Sequence, residues 1–235
     1  MWKAKAFPEG LNLTMIRTVI FDMDGVIIDS EPLWEKAERI LLGRRGLDYN
    51  PAYREKIVGL NQKDSGKLLK ETFNLPETIE ELLAERIEIL LPLYEKELEL
   101  VPGFITILKE IKESGFLLAL ASSSPYRVIN FVLDKFSLNQ FFSVVVSGES
   151  VEFGKPYPDI YLYTAKKLGV KTEECVVIED SINGVKSAKS AGMMCIAVPD
   201  KRLSQNEFQI ADVVIGRLDK INAEMIRNLG RLGIT

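Results

Sequence analysis

At 235 residues, the chain is long enough for one large domain, or for a core domain with a smaller one inserted in it. Apolar residues make up 46% and charged residues 27%, the make-up of an ordinary soluble globular protein. A net charge of −4 speaks against a nucleic-acid partner, no apolar run nears the roughly 20 residues that span a membrane, and the lack of histidine excludes Ser-His-Asp triads and His-ligated zinc.

Residues 1–14, "MWKAKAFPEGLNLT", hold two lysines but no apolar signal-peptide segment. They are expected to be an N-terminal extension of a cytoplasmic protein. The first strand, "RTVIF" (17–21), runs into Asp22, Asp24 and Gly25, so two like charges stand close together at an apolar strand tip. Further strands are expected at 116–121, 143–147, 175–179, 194–198 and 212–216. Most are short unbroken apolar runs, which suits strands covered on both faces in a parallel sheet. Helical patterns at 103–114, 157–168 and 182–191 lie between them and close on Gly115, Gly169 and Gly192. This alternation predicts an α/β fold, a Rossmann-like doubly wound parallel-sheet core. Cys175 and Cys195 fall inside apolar runs and read as buried small hydrophobes.

Residues 31–100 break the rhythm, because they hold no convincing strand. Pro32 stands at a first helical position, with Leu33, Trp34, Ala37, Ile40 and Leu41 at helical spacing after it. A second amphipathic stretch carries Ile79, Leu82, Leu83, Ile87, Leu90 and Leu91 on one side, and Pro92 is expected to kink or end it. The expected organisation is therefore an extension at 1–14, a catalytic core at 15–30 and 101–235, and an all-helical cap at 31–100.

In such sheets, ligands bind beyond the carboxyl ends of the strands. Those ends carry Asp22 and Asp24, then Ser122, Ser123 and Ser124, then a loop with Lys155, then Glu179 and Asp180. Four carboxylates on one edge raise one another's pKa or bind a cation. Hard oxygen ligands without Cys or His select Mg²⁺. A lysine and hydroxyls beside such an ion suit a phosphate group, and Gly25 lets backbone N–H groups come close to it. Without histidine, serine is a poor nucleophile, but a carboxylate can attack phosphorus itself. Each tip alone reads as a cap or a turn; all four in order read as a site.

These motifs, "DMDGV" (22–26), "ASSSP" (121–125), "GKPYPDIY" (154–161) and "VVIEDSINGVKSAKSAGM" (176–193), resemble the haloacid dehalogenase superfamily. The likeness covers nearly all of the chain after Met15. The helical insert resembles the mobile cap of the subgroup with β-phosphoglucomutases and sugar-phosphate phosphatases. The resemblance implies Asp22 as nucleophile and Mg²⁺ ligand. It implies Asp24 as general acid/base, with its backbone carbonyl on the metal. Ser122 would hydrogen-bond the phosphoryl group, with Ser124 beside it; Lys155 would neutralise charge; Asp180 with Glu179 would complete the metal site. Relatives that cleave carbon–halogen bonds or phosphonates lack the second aspartate, so Asp24 implies phosphoryl transfer.

Related mutases place a histidine at the position of Trp34 and a phosphate-gripping arginine near Gln62. Neither is present here, and Lys63 is no equal substitute for an arginine. A phosphatase acting on a small sugar or polyol phosphate is therefore expected, ahead of a sugar phosphomutase and of a binding protein that has lost turnover. Trp34 reads as cap packing or substrate contact, and Gly59 and Leu60 as substrate contact or a simple turn. A small phosphorylated metabolite is the expected partner. Nothing calls for nucleic acid, a membrane or more than a monomer.

Overall fold

The computed structural model describes residues 15–50, 53, 57, 60, 62–199 and 205–229. The N-terminal extension and Gly59 therefore lie outside the described residues. Six strands form one parallel sheet in the order β3-β2-β1-β4-β5-β6: β1 Thr18–Phe21, β2 Leu117–Ser122, β3 Val144–Ser147, β4 Cys175–Glu179, β5 Met194–Ala197 and β6 Val213–Val214. β1 is central, with Phe21 level with Leu120 of β2 and Ile178 of β4. That register sets Asp22 beside the carboxyl ends of both neighbours.

Alternation along β1 divides the core into two. Val19 and Phe21 pack with Phe104, Ile107, Leu108, Val128 and Ile129 on one face. Ile20 packs with Ile160, Tyr161, Val185 and Ala188 on the other. Helices thus cover both faces, as the unbroken apolar strands required.

Beyond β1, the chain leaves the sheet and returns beside itself. Asp29 N donates to Glu99 O at 3.1 Å, and Val101 N to Ile27 O at 2.9 Å. Between these two linkers the named elements are helices: Glu31–Gly43, Gln62–Phe73 and Ile79–Glu97. The third opens on a capping box in which Thr78 Oγ1 accepts from Glu81 N and Glu81 Oε2 accepts from Thr78 N. It does not end at Pro92, as one of the two expected outcomes had it, but runs on to Glu97. Pro92 is exposed, so water reaches the carbonyl that lost its N–H partner, while buried Leu90 and Tyr94 anchor the helix on either side. No helix among the described residues is long and apolar enough to cross a membrane.

Candidate functional site

The four strand tips converge. Lys155, in the loop after β3, is buried and donates to Asp22 Oδ1 at 2.5 Å and to Glu179 Oε1 at 2.6 Å. Tyr161 OH donates to the same Glu179 oxygen at 2.7 Å. Glu179 Oε2 accepts from Asp180 N, Ser181 N and Ser181 Oγ at 3.0–3.1 Å. Both oxygens of this fully buried carboxylate are therefore taken. Gly184, in the helix Ile182–Ser190, makes room for it: a Cβ there would stand 1.7 Å from Glu179 Oε1.

Asp22, Glu179 and Asp180 each offer an oxygen within 4.8 Å of the others. Among the described residues, no group donates to the Asp180 carboxylate. Burial, with Glu179 and Asp22 nearby, pushes the Asp180 carboxyl well above the usual range. Burial likewise raises Asp22 to about 8, against the pull of Lys155. Burial lowers Lys155, but Asp22 and Glu179 outweigh it and hold the ammonium above its ordinary value. Two buried carboxylates that resist ionisation, with open oxygens side by side, fit a hard divalent cation. Asp22 and Asp180 would hold it, and Glu179 would set their positions. Gly25 belongs to the same cradle. Its φ is +80°, and a Cβ on it would sit 2.0 Å from Asp180 Oδ2. Its own N–H bonds Ile28 O at 2.8 Å, so the glycine serves the approach of Asp180.

Asp24 faces the other way and lies outside that oxygen cluster. Its Oδ1 accepts from Ser30 Oγ at 2.6 Å and from Trp34 Nε1 at 3.1 Å. Its Oδ2 accepts from Ser124 Oγ at 2.9 Å and Ser122 Oγ at 3.4 Å. Asp22 and Asp24 thus take separate partners, although Asp24 still adds to the repulsion that Asp22 feels. Ser122 is fully buried, and its oxygen also accepts from Ser124 N at 3.0 Å.

A cleft of about 640 Å³, counted out to its open mouth, lies above these groups. Asp22, Asp24, Lys155 and Asp180 form its floor, with Ser123 and Ser124 on one wall. The helical segment supplies Glu31, Trp34, Glu38, Ile57, Leu60, Gln62, Ser65 and Arg86. Leu60 and Gln62 both line the cleft, Gln62 from the first position of the helix Gln62–Phe73 rather than from a loop. Lys63 is exposed and does not join the wall, because it lies about 100° round the helix from Gln62. Sequence reasoning missed Glu31, Glu38, Ile57, Ser65, Arg86 and Ser181 as lining residues, and placed Ser123 at a strand tip without giving it a role. Arg86 and Glu38 had left a trace. Each is a charge on a buried apolar stripe, Leu82–Arg86–Leu90 and Trp34–Glu38–Leu41. The Ser123 hydroxyl is buried and has no hydrogen-bond partner among the described residues.

The raised Asp22 pKa makes stability depend on pH. The unfolded carboxyl ionises near 3.8 and the folded one at about 8, so the folded chain holds the extra proton between them. This contribution is fully present below 3.8 and is lost as pH rises toward 8. A divalent cation opposes the loss, since it binds the ionised form. The Tm gain on adding divalent salt should therefore grow across that window, at about 2–4 °C per kcal/mol of coupling. A gain that is flat with pH in calorimetry would exclude Asp22 from the cation site.

The family model "Haloacid dehalogenase-like hydrolase" matches residues 19–198. Hexitol phosphatase B of Escherichia coli K12 is 36% identical over 217 residues, covering 89% of this chain and 96% of the relative. The phosphorylated carbohydrates phosphatase of Thermotoga maritima is 35% identical over 178 residues, covering 76% and 82%. Among solved structures, a β-phosphoglucomutase from Clostridium difficile superposes with a TM-score of 0.83 at 25% identity, covering 93% of this chain and 98% of that one.

Proposed function

The chain belongs to the haloacid dehalogenase-like hydrolase family, and we propose that it is a Mg²⁺-dependent phosphatase of a small sugar or polyol phosphate, working through an aspartyl-phosphate. The observation that carries this reading is Lys155 bridging Asp22 and Glu179 on the cleft floor. It sets the Asp22 carboxyl on the floor beside a fixed ammonium, where an incoming phosphoryl group would meet both. The relatives named as sugar and polyol phosphatases support the substrate class.

In this reading, an Asp22 oxygen attacks phosphorus and the ester P–O bond breaks. Asp24 is the proton shuttle: it passes a proton to the leaving oxygen and takes one back from the water that attacks the aspartyl-phosphate. That second displacement releases inorganic phosphate and restores Asp22. Lys155 and the hydroxyl of Ser123, unpartnered among the described residues, meet charge on the phosphoryl oxygens, while the Ser122 and Ser124 hydroxyls stay on Asp24. Asp22 and Asp180, with the Asp24 backbone carbonyl, would hold Mg²⁺, which would supply further charge neutralisation. Ser30 and Trp34 keep the Asp24 side chain aimed away from that ion. We take residues 31–100 as the cap and residues 15–30 with 101–235 as the catalytic core. The paired linkers at Asp29–Glu99 and Ile27–Val101 are then the place where the cap moves.

Phosphate release measured with Mg²⁺ over a panel of phosphorylated metabolites tests this. The panel includes β-glucose 1-phosphate with a bisphosphate primer. Isomerised sugar phosphate without free phosphate would make the protein a mutase. No turnover of any phosphomonoester by folded, Mg²⁺-loaded protein would leave a binding role. Asp24→Asn should lower kcat on a polyol phosphate about 10²- to 10⁴-fold, the worth of one positioned acid/base. An unchanged rate would mean that another group moves the proton.

A further inference from the structure

On the phosphatase reading above, we infer that Arg86 fixes Gln62 as a hydrogen-bond donor to the far end of the substrate. The site then takes a phosphomonoester whose tail is neutral and hydroxylated, and disfavours one whose tail bears a second phosphate. Arg86 rises from the helix Ile79–Glu97 and is buried at the roof of the cleft. Its Nη2 donates to Gln62 Oε1 at 2.6 Å and to Ser65 Oγ at 2.9 Å. A guanidinium only donates, so Gln62 must turn its carbonyl oxygen toward Arg86. The amide NH₂ then lies on the opposite side, and no described protein group accepts from it. Gln62 lines the cleft, where a substrate hydroxyl is the matching acceptor.

The same contacts use up the positive charge. Arg86 Nη1 stands 3.5 Å from the buried Glu38 Oε1, and the guanidinium lies 5.0 Å from the centre of the Trp34 ring. Glu38 and Glu31 also line the cleft. A second phosphate would therefore meet carboxylates and a cation already neutralised, whereas a hydroxyl can accept from the Gln62 amide. Trp34 joins this wall to the floor through its bond to Asp24 Oδ1. Arg86 is thus a positioning residue: it acts through Gln62.

The test measures kcat and KM for Mg²⁺-dependent phosphate release from a sugar-alcohol monophosphate, an alkyl monophosphate of equal length and the corresponding sugar-alcohol bisphosphate. p-Nitrophenyl phosphate serves as the reference, and wild type is compared with Gln62→Glu and Arg86→Lys. Glutamate at 62 keeps an acceptor for Arg86 but removes the donor, so the cap packing stays. Wild type should favour the sugar-alcohol monophosphate over both competitors. Gln62→Glu should raise its KM about three- to tenfold relative to the alkyl phosphate, the worth of one hydrogen bond, with a smaller change in kcat. Arg86→Lys should shift KM in the same direction, because lysine cannot hold three partners in one plane. Equal use of the alkyl phosphate or the bisphosphate by wild type overturns the inference, as does a preference that survives in Gln62→Glu. If p-nitrophenyl phosphate is hydrolysed in those cases, the phosphatase reading stands alone; if nothing is hydrolysed, both fall.

Discussion

Asp22→Asn is expected to lower Mg²⁺-dependent turnover by at least about 10⁴-fold, because no other group can take its place as nucleophile. Among the described groups, Asp24 on the cleft floor holds three hydroxyls and an indole N–H, and both oxygens of the neighbouring Glu179 are taken. The fold should survive. Asparagine keeps the shape of Asp22, and Lys155 retains Glu179 as its partner. Removing a carboxylate that burial already keeps from ionising below about 8 should leave the ion-free protein equally stable or more so at neutral pH. Two measurements separate the nucleophile from a mere metal ligand. Mass spectrometry of quenched wild type should show a phosphoryl adduct on the peptide that contains Asp22, and the variant should show none. Residual activity that rises with Mg²⁺ concentration toward the wild-type rate would mean that Asp22 only binds the ion.

The sheet and its site motifs were legible because each signal is local. A continuous apolar run marks a strand covered on both faces, and chemistry-bearing residues directly after such a run must lie on one edge of a parallel sheet. Asp22, Lys155 and Asp180 could therefore be brought together without knowing any side-chain direction. The split between Asp22 and Asp24 was not legible in that way. It depends on Ser30 and Trp34, which reach Asp24 only because the chain turns sharply at Gly25 and leads into the helix Glu31–Gly43. Trp34 had been read as packing or contact, and it does more than pack, since its ring meets Tyr94 edge-on while its N–H holds Asp24. The cap wall was the least legible part. Glu38 and Arg86 lie 48 residues apart in the chain and meet only when two helices pack. A charge on an apolar stripe announces a buried partner, but not which one.

Lys155→Met should damage both stability and chemistry, and the two effects can be separated by pH. Methionine fills much the same volume, yet it leaves Asp22 and Glu179 facing each other, buried and without a cation. Breaking a buried pair in this way costs about 3–5 kcal/mol near neutral pH. The sign follows from Asp22. Lys155 is the group that lowers its pKa, so without the ammonium the folded carboxyl lies higher still than about 8. The variant's deficit is then greatest where Asp22 must ionise and shrinks as Asp22 becomes protonated. Calorimetry should show Tm falling more steeply with rising pH than in wild type, and Mg²⁺ recovering a larger share of it. Turnover behaves differently. No ion bound by Asp22 and Asp180 replaces a fixed donor above the phosphoryl oxygens, so kcat should stay about 10²- to 10³-fold low even where the fold is fully rescued. A variant that regains wild-type kcat once Mg²⁺ restores its Tm would reduce Lys155 to a structural counter-charge. A variant with unaltered Tm at neutral pH would mean that the two carboxylates do not depend on it at all.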